Sequence, residues 1–131
     1  MAKATLAKDT KWKTTIEVRG HEFVADEPTE RGGTDLGPTP TELLASSLAS
    51  CSAITMQMYA GRKEWPLDEV SVDVTIEQRK DDTGKRTAFV KRLSMAGDLS
   101  QEQVERLKQI SSKCPIHKLL AEAHIMETHV D

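Results

Sequence analysis

The stretch from Thr39 to Gly61 constrains this chain more than any other, because its opening residues specify a helix start in three ways at once. Thr39 offers a capping side chain, Pro40 occupies the first helical position, where a missing N–H costs nothing, and Glu42 completes a capping box. From there Leu44, Leu48, Cys51, Thr55 and Met58 recur at helical spacing along one face, and Leu43, Ser47, Ser50 and Ile54 lie on the adjacent one. A helix apolar on more than one side, and rich in Ala and Ser that admit close neighbours, belongs at the centre of a fold. It is expected to end near Gly61.

The segments around it alternate between strand and helix patterns. Thr14 to Asp26 reads as two short strands about the Arg19-Gly20 turn, followed by a loop rich in Pro, Gly and acidic residues up to Pro38. After Trp65-Pro66-Leu67, residues Val70, Val72, Val74 and Ile76 alternate with Ser71, Asp73, Thr75 and Glu77, the period of a half-buried strand. Asp81 to Gly84 turns the chain, and Arg86 to Met95 returns as a second strand. Ser100 to Gln103 is another capping box and opens a helix with Val104, Leu107 and Ile110 inward. Cys114-Pro115 starts a last helix, with Ile116, Leu119, Leu120 and Ala123 as its apolar stripe, and Ile125 to Val130 suits a closing strand. The order β-β-α-β-β-α-α-β implies an α+β fold: mainly antiparallel sheets with a long central helix. At 131 residues the chain is expected to form a single domain over 1–131.

Charge narrows the function classes. A net charge of -3 and a pI near 5.8 give no long-range attraction to nucleic acid or to an anionic membrane. Lys11, Lys13, Arg79, Lys80, Lys85, Arg86, Lys91 and Arg92 read as solvated strand and turn positions. The stretch Leu43 to Ala60 is too polar to span a bilayer, and Met1 to Lys13 lacks the apolar run of a secretory signal. A cytoplasmic location is the expectation, and there a pair of cysteines is reduced and reactive rather than a structural bridge.

The two cysteines occupy different contexts. Cys51 lies well inside the central helix, where position alone favours a small buried hydrophobe. Cys114 stands at a helix start, where free N–H groups favour thiolate over thiol; Lys113, His117 and Lys118 add positive or switchable charge nearby, and a plain helix cap is the other reading. If the sulfurs meet, one can attack a peroxide and become a sulfenic acid, and the other can condense with it to a disulfide that a dithiol resets.

Gly37-Pro38-Thr39-Pro40-Thr41-Glu42-Leu43-Leu44, followed by Leu48-Ala49-Ser50-Cys51-Ser52-Ala53, resembles the central-helix signature of the OsmC/Ohr family of osmotically inducible and organic hydroperoxide resistance proteins. Cys114-Pro115-Ile116-His117-Lys118-Leu119-Leu120 is similar to the segment that carries that family's second cysteine, and the resemblance runs from about Thr14 to Val130. It implies a cysteine-based peroxidase of oxidative stress defence, with Cys51 as peroxidatic nucleophile and Cys114 as resolving thiol. It also implies an intertwined homodimer, organic hydroperoxides as substrates, and a lipoylated protein or other dithiol as reductant. Ohr-type members use a Glu that orients an activating Arg; the position of that Glu is Thr41 here, and Glu42 follows one step later, about 100° around the helix. Glu42 is a candidate for that role beside its role in the cap. Arg31, in the loop before the helix, is the candidate guanidinium, with Arg19 as the alternative.

No cofactor is implied. His21, His117, His124 and His129 supply no complete zinc pattern, since Cys114-x-x-His117 is half a site without a partner. Gly32-Gly33 reads as a turn, Trp12 and Trp65 as packing anchors, and no serine sits in a Gly-x-Ser-x-Gly elbow. A small-ligand-binding or redox-sensing module on the same dimeric fold is the alternative to an enzyme.

Overall fold

The computed structural model describes residues 1–130. Eight elements follow in the order β1 (Ala2–Thr5), β2 (Thr14–Val18), β3 (His21–Ala25), α1 (Pro40–Lys63), β4 (Glu69–Asp81), β5 (Gly84–Ala96), α2 (Gln101–Ser111) and α3 (Pro115–Ala121), with short 3-10 turns at Lys8–Thr10 and Thr29–Arg31. The α+β class, the antiparallel sheets and the long central helix are as expected. The order differs at both ends. Strand β1 precedes the expected pair, and residues 125–130, expected to close a sheet, form no regular element. All four residues of β1 are exposed, so backbone pairing holds it without the buried alternation that reveals a strand in a sequence. In 125–130 the apolar pattern exists, but Ile125, Met126 and Val130 lie almost fully exposed with no strand beside them.

The backbone packs as two compact units that divide at Ser46–Ser47. In the first, β1, β2 and β3 form an antiparallel sheet in sequence order, with Ile16 opposite both Ala4 and Phe23. Its loop from residue 26 to 38 is organised by Asp26. That carboxylate, almost wholly buried, accepts from the Glu27 amide (2.8 Å), the Thr34 hydroxyl (2.5 Å) and the Leu36 amide (3.2 Å). Helix α1 begins with the expected capping box: the Glu42 amide donates to Thr39 Oγ1 and the Thr39 amide to the Glu42 carboxylate, each at 3.2 Å.

The second unit holds the rest of α1, the β4–β5 hairpin, α2 and α3. The hairpin pairs Val70 with Met95, Val72 with Leu93, Val74 with Lys91 and Ile76 with Phe89. Since cross-strand partners share a face, these residues form its half-buried side. Met56 and Ala60 of α1, Leu67, and Leu107 of α2 form the core, with Tyr59, Trp65, Val70, Leu93, Met95 and Leu99 packed against it. Trp65 is thus a packing anchor, edge-on to Tyr59 at 5.5 Å between centroids, whereas Trp12 is half exposed. The buried stripe of α1 is Leu48, Ser52, Met56 and Ala60, one position round from the expected face, and Ile54 and Met58 are exposed. Gly97 has φ +134°, and a Cβ there would strike the Pro66 carbonyl, which fixes the join between hairpin and α2.

Leu107 is fully buried, so Leu107→Ala should lower unfolding free energy by roughly 2–5 kcal/mol in denaturant titrations. A loss well below 1 kcal/mol would show that the cluster is not the anchor of the second unit. The hydrogen bond from Thr34, then those from the backbone amides, lower the Asp26 pKa below its ordinary 3.8 against the opposing effect of burial. The folded chain therefore releases this proton more readily than the unfolded one, and the associated stability is full above the ordinary value. It is lost as pH falls through the lowered one. Asp26→Asn should remove that acid-side dependence of stability.

Candidate active site

Two free cysteines meet where α1 and the start of α3 come together. Cys51 projects from α1 beside Ser52 and is half-buried; Cys114 is the N-cap of α3 and fully buried. The local sequence dictates this. Pro115 at the first helical position needs no amide partner, and the extended backbone of Cys114 turns its sulfur to accept the His117 N–H at 3.2 Å. The Ile116 amide is directed at the other sulfur, that of Cys51. One helical turn thus serves both thiols.

The hydroxyl of Ser52, also fully buried, lies 3.6 Å from Cys114 Sγ. Beyond it stands Lys91 of β5, whose ammonium donates to the Ser111 carbonyl (2.8 Å), to Ser111 Oγ (3.4 Å) and to Ser52 Oγ (3.4 Å). Lys91 corrects the reading of that residue as a solvated strand position: it is half-buried on the inward face of the hairpin. The signal was present in the alternation Phe89, Lys91, Leu93, Met95, in which one lysine interrupts an otherwise apolar face.

The two sulfurs are not equivalent. Burial, followed by the hydrogen bond and charge of Cys114, pushes the Cys51 thiol up against the lowering effect of the Ile116 amide. Burial also opposes ionisation of Cys114, but the His117 amide, the Ser52 hydroxyl, the Cys51 thiol and the Lys91 charge together outweigh it and bring that thiol down. Of the two thiols Cys114 is therefore the one that ionises first, with Cys51 the one that keeps its proton longer. Burial and then the Lys91 charge push His117 down, so its imidazole is neutral at neutral pH and Lys91 is the cation of the site. A cavity of about 210 Å³ lined by Leu48, Phe89, Lys91, His117, Leu120 and Ala121 adjoins this cluster. Its walls are mainly apolar.

The other candidates have local partners. Glu42 is engaged in the α1 cap, and Arg31, largely exposed in its 3-10 turn, lies 3.7 Å from Glu27. Arg19 takes a left-handed backbone conformation in the turn between β2 and β3. Among the described residues no cluster of His, Cys, Asp and Glu could hold a metal ion, and no helix is long and apolar enough to cross a membrane.

Residues 32–129 match the family model described as OsmC-like protein. No curated protein sequence matches the chain. Among solved structures it is similar to an OsmC-like protein from Mycoplasma pneumoniae, at 21% identity and TM-score 0.75, covering 92% of this chain and 86% of that one. It is similar to an organic hydroperoxide resistance protein OsmC from Legionella pneumophila, at 20% identity and TM-score 0.67, covering 92% and 87%. The organic hydroperoxide resistance protein OhrB of Bacillus subtilis matches at 20% identity and TM-score 0.65, covering 91% and 89%. At these identities the likeness establishes the fold.

Proposed function

The chain belongs to the OsmC-like protein family, and from that premise we propose that it is a cysteine-based peroxidase that reduces organic hydroperoxides in oxidative stress defence. The observation that carries this reading is the placement of two free sulfurs from separate elements side by side, with their acidities shifted in opposite directions. Cys51 is the nucleophile and Cys114 the resolving thiol. As Cys51 attacks the O–O bond, its proton passes to the Cys114 thiolate; the departing alkoxide then takes that proton and leaves as the alcohol. Cys51 is now a sulfenic acid and Cys114 again a thiolate. Attack of Cys114 on the Cys51 sulfur forms the disulfide and expels hydroxide, which solvent protonates. A dithiol, free or carried on a lipoylated protein, reduces the disulfide and is itself oxidised.

The more exposed position of Cys51 supports its assignment as the sulfur that meets peroxide, and the burial of Cys114 suits a thiol that reacts only with its neighbour. The apolar cavity of about 210 Å³ favours an organic peroxide over hydrogen peroxide. Glu42 remains the helix cap in this scheme, and Arg31 is not required for it. The exposed Ile54 and Met58 on α1 support a homodimer in which a second copy covers that face.

One equivalent of an organic hydroperoxide should consume two thiols and create one disulfide within each chain, seen as a mass loss of two hydrogens. Cys51→Ser should abolish turnover, and Cys114→Ser, lacking the proton acceptor, should form the Cys51 sulfenic acid more slowly but then retain it until it over-oxidises. Full turnover by Cys51→Ser would overturn the assignment of roles. A ligand-binding module using the same cavity would instead keep both thiols through the treatment and show no turnover with any dithiol.

A further inference from the structure

Lys91 is a half-buried cation without a carboxylate: among the described residues no Asp or Glu pairs with it. An ammonium in that position demands compensation, and its three protons meet three neutral oxygens, the Ser111 carbonyl, Ser111 Oγ and Ser52 Oγ. The directions of these bonds can be assigned. Ser111 Oγ donates its own proton to the Lys108 carbonyl at 2.7 Å, so it can only accept from Lys91. Ser52 Oγ likewise accepts from Lys91, because an ammonium is donor only; its hydroxyl lies 3.6 Å from Cys114 Sγ and is the donor of that pair whenever the sulfur is a thiolate, which can only accept. The groups whose negative charge bears on the ammonium are the two sulfurs, Cys114 before Cys51.

We propose that Lys91 is a positioning residue for the sulfur pair: anchored on Ser111, it acts both by its own charge and through the Ser52 hydroxyl to hold negative charge on Cys114 and so keeps the resolving thiol ready to close the disulfide. The inference rests on the peroxidase reading for its consequence, but the ionisation of Cys114 can be measured without any peroxide.

Each element around the ammonium is accounted for. Helix α1 brings Cys51 and Ser52, α3 brings Cys114 and the neutral His117, and α2 brings Lys108, which lines a second cavity of about 400 Å³ beside Lys91 and lies 4.0 Å from Glu105. Burial pushes Lys91 down while the charges of Cys114 and Cys51 push it up, the mutual dependence expected of an ion pair. At a pH high enough to discharge Lys91, its hold on Cys114 is lost.

The test is an ultraviolet titration of the Cys114 thiolate in full-length Cys51→Ser protein, where one thiol remains. Adding Lys91→Met should raise its midpoint by about one pH unit or more, Ser52→Ala should raise it by less, and Lys91→Arg should restore most of the difference. A purely structural lysine would leave the midpoint in place in a folded Lys91→Met variant, and that result overturns the proposal. If Lys91→Met does not fold, Lys91→Gln provides the same comparison. With Cys51 present, the conversion of sulfenic acid to disulfide should slow about threefold at neutral pH, because the loss of thiolate is partly offset by its greater nucleophilicity. More sulfenic acid should then be trapped by a dimedone probe. A shifted midpoint in protein that forms no disulfide with hydroperoxide would retire the peroxidase reading and uphold the role of Lys91.

Discussion

Cys114 is fully buried and yet its surroundings favour the charged form of its thiol, and the second unit is arranged around that conflict. A thiolate removed from water is stable only where donors replace the lost solvent, and here they come from three elements. Helix α3 supplies an amide, α1 a hydroxyl, and β5 the ammonium behind that hydroxyl. The stripe Leu48, Ser52, Met56, Ala60 makes the arrangement possible, because its large members fill space while Ser52 is small enough for the sulfur to approach the helix. A longer side chain at Ser52 would displace Cys114 and the first turn of α3 with it.

The same network couples chemistry to packing. Lys91 Nζ reaches the carbonyl of Ser111 at the end of α2, and that helix is held to α1 through Leu107 in the core with Met56 and Ala60. The Arg106 guanidinium adds a surface contact, donating to the Tyr59 hydroxyl at 3.1 Å. A shift of α2 would thus withdraw the anchor from the ammonium, so stability of the core and ionisation of the site share residues. The strand face explains why a lysine is tolerated there at all: it shares that face with cross-strand Val74 and with Phe89 and Leu93 of its own strand, an apolar setting for its methylene stem, while the head finds oxygens.

Much of this was legible in the residues. Both capping boxes, Thr39 to Glu42 and Ser100 to Gln103, form as their side chains dictate, and the alternation of Val70 to Ile76 gives the hairpin face directly. The proximity of Cys51 and Cys114 was only conditional, because a contact between separate helices leaves no trace in local spacing. Lys91 is hard to recognise in the sequence because a charged residue in a strand is usually solvated, and only its place within an apolar alternation marks it. The end of the chain misled in the opposite way, since the apolar residues of 125–130 promise a strand that pairs with nothing in one chain.

Cys114 closes the first turn of α3, and in the proposed peroxidase the same sulfur is the resolving thiol. The acceptor for the His117 amide is thus an atom whose electron density changes whenever it is oxidised. A thiolate binds that N–H strongly, whereas a sulfur shared in a covalent bond binds it weakly. In a helix of only 7 residues there is little else to compensate. If the proposed disulfide forms, the first turn of this short helix should therefore slacken as its capping sulfur is oxidised.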